Sequence, residues 1–127
     1  YKANSNAEAA WEQLCPGGRL PVETLDTAQG ITEGTAGGHW DEACLVNELM
    51  TGFVNAEMPL STITIASLAD MGYTVDYSKA DPYGRDNLGD CGAYCPDLRK
   101  RHLRGMAEEL RLPKKVSANG HLKILQA

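Results

Sequence analysis

The chain has 127 residues, 43% of them hydrophobic, with 12 Lys and Arg against 17 Asp and Glu for a net charge of −5, which suits one domain with a modest core. That balance excludes a general nucleic-acid binder, which needs cations clustered over a whole face, and no apolar run is long enough to span a membrane. The chain opens on Tyr1 with no charged-then-apolar leader, so it reads as part of a longer precursor.

In chain order, the first predicted element is a short helix over residues 5–14. Ala, Glu, Gln and Leu are good helix formers there, Ser5 or Asn6 can cap the start, and Cys15-Pro16-Gly17-Gly18 stops it. From Arg19 to Gly38 the one apolar cluster is Leu20-Pro21-Val22, and Gly30, Gly34, Gly37 and Gly38 follow among polar residues. This predicts a long ordered loop, and long loops in compact domains are usually functional or disordered. Pro59-Leu60-Ser61 opens a second helix, with Ser61 as cap and Ile63, Ile65, Ala66, Leu68 and Met71 on its buried side, and Gly72 ends it. Residues 73–77 alternate as in a strand, and Asp81-Pro82-Tyr83-Gly84 is a turn where the packed region is expected to end.

Beyond Cys95 the pattern predicts an amphipathic helix over residues 96–111, with Leu98, His102, Met106 and Leu110 on one side and Arg99, Lys100, Arg101 and Arg104 on the other. Its apolar side lacks the Trp and Phe of a membrane-surface helix, so the basic side is read as a solvated face. The expected fold class is α+β, mainly helical and irregular. Residues 1–83 form the packed part, and residues 84–127 a Cys-containing loop, a basic helix and a tail.

Cys15, Cys44, Cys91 and Cys95 form an even set in a Gly-rich chain, which favours two disulfides and an oxidising compartment. Free thiols in a cytosolic protein are the alternative. A Cys-only zinc site is disfavoured, because the Cys91/Cys95 pair has no second close pair to join.

The segment with chemical content is Gly37-Gly38-His39-Trp40-Asp41-Glu42-Ala43-Cys44-Leu45-Val46-Asn47-Glu48-Leu49-Met50-Thr51-Gly52-Phe53. It resembles the leishmanolysin family of zinc metalloproteases, of the metzincin class, in which a His-Trp-(Asp/Glu) stretch supplies the third zinc ligand. In that family an (Asn/Asp)-Glu-Leu-Met-(Thr/Ala)-Gly stretch follows at the same spacing and forms the methionine turn. The helix over residues 60–73 is similar to the family's C-terminal helix, so the likeness covers residues 1–83 and fades after Tyr83.

The resemblance implies the C-terminal subdomain of a metzincin-type, zincin-like catalytic domain, with His39 as a zinc ligand and Met50 packed beneath the metal. Neutral imidazole suits zinc, and a thioether fills irregular space well. Asp41, Glu42 and Glu48 are candidates to support the ligand, since a carboxylate commonly holds the second nitrogen of a metal-bound imidazole. No catalytic residue is assigned in this chain, because it contains no H-E-x-x-H and the general-base Glu is expected upstream. His102 and His121 lack that spacing and are poor substitutes. A disulfide between Cys15 and Cys44 would clamp the His39 loop, and one between Cys91 and Cys95 would close a small local loop.

For the complete protein the resemblance implies one zinc ion and hydrolysis of peptide bonds in protein or peptide substrates. Its localisation is expected to be extracellular or membrane-associated, with any membrane attachment made through the parent protein. This chain alone is expected to be inactive, its partner being the N-terminal half of its own catalytic domain. Leu20, Leu49, Phe53 and Ile63 are then expected to be partly uncovered. The alternative is a non-catalytic secreted pseudoenzyme or adhesion module that keeps the shape without the chemistry.

Overall fold

The computed structural model describes residues 1–98, 104, 114–116 and 122–124. Most of the described chain is helical or irregular. Helix α1 (Asn6–Leu14) starts where Ser5 accepts a hydrogen bond from the Glu8 amide, and buries Ala7 and Trp11. Helix α2 (Glu42–Leu45) is a single turn capped by Asp41, whose carboxylate accepts from the Cys44 amide. Helix α3 (Thr62–Asp70) is capped by Ser61 and buries Ile63, Thr64, Ile65 and Ala66. Helices α1 and α3 pack together. Asp70 at the end of α3 accepts from the Asn6 and Ala7 amides at 2.7 and 3.1 Å, so its carboxylate satisfies donors that the first turn of α1 leaves open.

Around these helices the backbone is organised by isolated bridges. Trp40 pairs antiparallel with Val22 and parallel with Thr51, so three loop segments meet at one residue. Strands β1 (Lys114–Val116) and β2 (Leu122–Ile124) form an antiparallel pair with Lys115 opposite Lys123.

The core gathers Ala7, Trp11, Leu20, Trp40, Leu45, Ile63 and Ala66 around two disulfides. These join Cys15 to Cys95 and Cys44 to Cys91. The pairing inferred from sequence position, Cys15 with Cys44 and Cys91 with Cys95, is therefore corrected. The loop after Tyr83 folds back so that each of its cysteines meets a distant partner, which local spacing cannot reveal. Packing continues past residue 83, with Leu88, Cys91, Cys95 and Leu98 against the core. Trp11 anchors this return by donating its indole N–H to the Tyr94 carbonyl at 3.1 Å.

Other expectations divide. Residues 73–76 form no strand, and a 3-10 turn follows at Tyr77–Lys79, because no strand among the described residues pairs with them to take their backbone hydrogen bonds. Leu20 and Ile63 are buried, whereas Leu49 and Phe53 are exposed as expected. Leu68 and Met71, expected on the buried side of α3, are exposed. His102, Met106, Leu110 and His121 lie outside the described residues, as does most of the helix predicted over 96–111.

Candidate functional site

His39 ends a loop held at several points by its backbone. The Glu23 amide donates to the His39 carbonyl at 2.9 Å, and the Gly37 amide donates to the Glu23 carbonyl at 2.8 Å. Gly37 has φ +78, the left-handed conformation a glycine adopts without strain, so the chain can reverse just before the histidine. The ring's own partner is the Thr35 carbonyl, 3.0 Å from Nδ1. A carbonyl only accepts, so Nδ1 carries the proton and Nε2 is the lone-pair nitrogen of the neutral ring.

The methionine segment lies directly against this loop. The Trp40 amide donates to the Met50 carbonyl at 2.9 Å, tying the residue after the histidine to the methionine. His39 and Met50 both line a cleft of about 180 Å³ that also includes Tyr1, Val22, Trp40 and Met71. Trp40 is buried and meets Tyr1 edge to face at a centroid distance of 5.3 Å. Before the methionine, the chain turns at Val46 with φ 60 and ψ −84. That is a strained conformation for a β-branched residue, costing on the order of 1–3 kcal/mol.

The three candidate supporting carboxylates are engaged elsewhere than His39. Asp41 caps α2, and Glu42 accepts from the Phe53 amide at 3.3 Å. Glu48 is fully buried, and its Oε2 accepts from the Met50 amide at 2.6 Å. Its Oε1 accepts from the Ser61 amide and hydroxyl and from the Thr64 hydroxyl, at 3.0, 2.9 and 2.6 Å. The position expected of a carboxylate beside His39 belongs to the Thr35 carbonyl. A main-chain acceptor four residues back has no sequence signature, since every residue type offers one.

Sequence reasoning also passed over Glu23. It is buried, and its Oε2 has no hydrogen-bond partner among the described residues. Burial above all pushes its carboxyl above the ordinary range, helped by the charges of Asp41 and Glu42 and opposed by a hydrogen bond from the Glu42 amide and by His39.

As a donor set, these residues fit one arm of a zinc site: an imidazole with its second nitrogen fixed and its lone pair free. No group of three His, Cys, Asp or Glu able to hold a metal occurs among the described residues.

The His39 loop and the Met50 segment thus lie side by side along one cleft. The leishmanolysin family model matches residues 19–95, and the chain belongs to that family. This match begins after α1 and runs beyond Tyr83 through the second disulfide cysteine of each pair. The chain is 45% identical over 79 residues to the leishmanolysin-like peptidases of Drosophila melanogaster and Drosophila pseudoobscura pseudoobscura, covering 58% of this chain and 11% of each relative. It thus spans about a tenth of the length of these curated relatives. No solved structure matches.

Proposed function

We propose that the chain is the C-terminal wall of a zinc metalloendopeptidase domain of metzincin type. In this reading His39 is the third zinc ligand, Met50 the methionine of the turn, and the general-base Glu lies on an H-E-x-x-H helix elsewhere in the parent protein. The observation that carries this is the Trp40–Met50 hydrogen bond, which sets the histidine and methionine segments side by side. Family membership supports protein or peptide substrates. Zinc, when bound, would supply Lewis acidity for peptide hydrolysis.

This chain's own residues orient one imidazole and form the floor under it. One imidazole does not retain zinc, because zinc sites draw on three or four protein ligands. The isolated chain therefore binds no stoichiometric zinc and hydrolyses no peptide. The exposed apolar run of Val46, Leu49, Met50, Phe53 and Val54, with Val54 91% exposed, supports a face that the rest of the catalytic domain covers. Two disulfides support an extracellular or membrane-associated setting.

The test is to express the complete parent protein and its His39→Ala variant, then measure zinc content and hydrolysis of a denatured protein substrate. We expect one zinc per parent chain, and loss of both zinc and hydrolysis in the variant. A parent without zinc or hydrolysis would leave a binding or adhesion module. A variant that keeps both would remove His39 from the metal.

A further inference from the structure

We infer that Glu48 is a positioning residue that locks the methionine turn, α3 and the zinc-ligand loop into one register through Thr64 and Trp40. The inference rests on the reading of His39 as a ligand and names what holds it in place. Glu48 is 0% exposed, and no cation is paired with it among the described ion pairs. A carboxyl group withdrawn from water is tolerated only when hydrogen bonds replace its solvation. Four donors do so, and each comes from an element that the site needs.

The Met50 amide reaches Oε2, fixing the turn. The Ser61 amide and hydroxyl reach Oε1, fixing the cap of α3. The Thr64 hydroxyl also donates to Oε1, and so its oxygen is oriented to accept from the Trp40 indole at 2.8 Å. Trp40 is the residue after His39, and its amide is bonded to the Met50 carbonyl. The carboxylate therefore reaches the ligand loop by two routes, one through the turn backbone and one through Thr64 and the indole.

The chemistry also explains the residue type. All four contacts are donors, so the centre must be an acceptor on both oxygens, which a carboxylate is and a primary amide is not. Glutamine would set an N–H₂ against at least one donor. Aspartate is one methylene shorter and would not span from the Met50 amide to α3.

The experiment uses the complete parent protein with Glu48→Gln, Thr64→Val, Thr64→Ser and, as a packing control, Ile65→Ala, whose side chain is buried but outside this network. Zinc affinity is measured by competition with a chelator, and the apo protein's thermal midpoint is measured alongside. We expect Glu48→Gln and Thr64→Val to weaken zinc by roughly 10- to 100-fold, the range for partners that orient metal ligands. Thr64→Ser, which keeps the hydroxyl, restores affinity, and Ile65→Ala lowers the midpoint with zinc affinity unchanged.

Should Glu48→Gln fail to fold, the Thr64 pair decides alone. Thr64→Val with unaltered zinc affinity overturns the inference, as does a loss that Ile65→Ala reproduces at equal midpoint. His39→Ala run in parallel separates the two claims. Zinc affinity unaffected by His39→Ala overturns the ligand reading itself, whereas zinc lost there but retained in Thr64→Val overturns only the role of Glu48.

Discussion

The Nδ1 atom of His39 donates to the main-chain carbonyl of Thr35 at 3.0 Å. Backbone, and not a carboxylate, thus sets the tautomer of the candidate ligand. We expect long-range ¹H–¹⁵N spectra of the neutral imidazole to show a protonated Nδ1 and an unprotonated Nε2. A predominant Nε2–H tautomer would contradict the bond, since that ring would turn a lone pair toward the carbonyl.

The disulfides are nested, with sequence separations of 80 for Cys15–Cys95 and 47 for Cys44–Cys91. Loops of that length restrict the unfolded chain strongly, so each bridge is expected to contribute about 2–4 kcal/mol. Non-reducing peptide mapping is expected to recover those two linked pairs. Adding a reductant is expected to lower the denaturant midpoint sharply.

Asp70 ties α3 to the start of α1, and its carboxyl lies below the ordinary value of 3.8. Burial works against that shift, but hydrogen bonds from the Ala7 and Asn6 amides and the Tyr1 hydroxyl outweigh it. For an acid with a lowered folded value, the stabilisation is present above the ordinary value and is lost as pH falls through the folded one. Asp70→Asn is expected to cost about 1 kcal/mol near neutral pH, allowing for solvent screening. In urea titrations at several pH values, the gap between native and variant should close in acid, below 3.8. A gap that persists unchanged there would assign the loss to shape alone.

The Tyr83 hydroxyl donates to the Leu45 carbonyl at 2.6 Å. Burial first, and the charge of Glu48 second, push its phenol far above the usual 10.0. Its contribution is therefore complete below the ordinary value and is lost only as pH rises through the elevated one. In an alkaline absorbance titration, Tyr83 is expected to ionise last among the five tyrosines, together with unfolding. Tyr83→Phe is expected to remove that late step and to cost about 1 kcal/mol at neutral pH.

Gly89 lies where the returning loop crosses α2, with its amide bonded to the Cys44 carbonyl at 2.9 Å. A Cβ there would meet the Ala43 carbonyl oxygen at 2.6 Å and Val46 Cγ2 at 2.8 Å, whereas one at Gly84 would meet nothing within 4 Å. Gly89→Ala is expected to destabilise by about 1–3 kcal/mol, with Gly84→Ala near neutral. Equal melting temperatures for the two variants would show that the loop crosses elsewhere.

The local elements were legible in the sequence because they depend on neighbours in the chain. Ser5 and Ser61 cap the helices predicted behind them, and the Gly-rich run before His39 forms the loop expected of it. The spacing of His39, Glu48 and Met50 pointed to the family that the comparisons support, because a turn set against a loop requires a fixed number of intervening residues. Tertiary structure alone decided which distant groups meet. It paired Cys15 with Cys95, left the 73–77 segment without a partner strand among the described residues and placed the Thr35 carbonyl against His39. It also turned Glu48 from a carboxylate near a ligand into an acceptor buried among Met50, Ser61 and Thr64. The physical reason is that caps and turns are satisfied within a few residues, whereas a buried charge, a disulfide or a strand must find its partner through space, at separations that composition and periodicity do not encode.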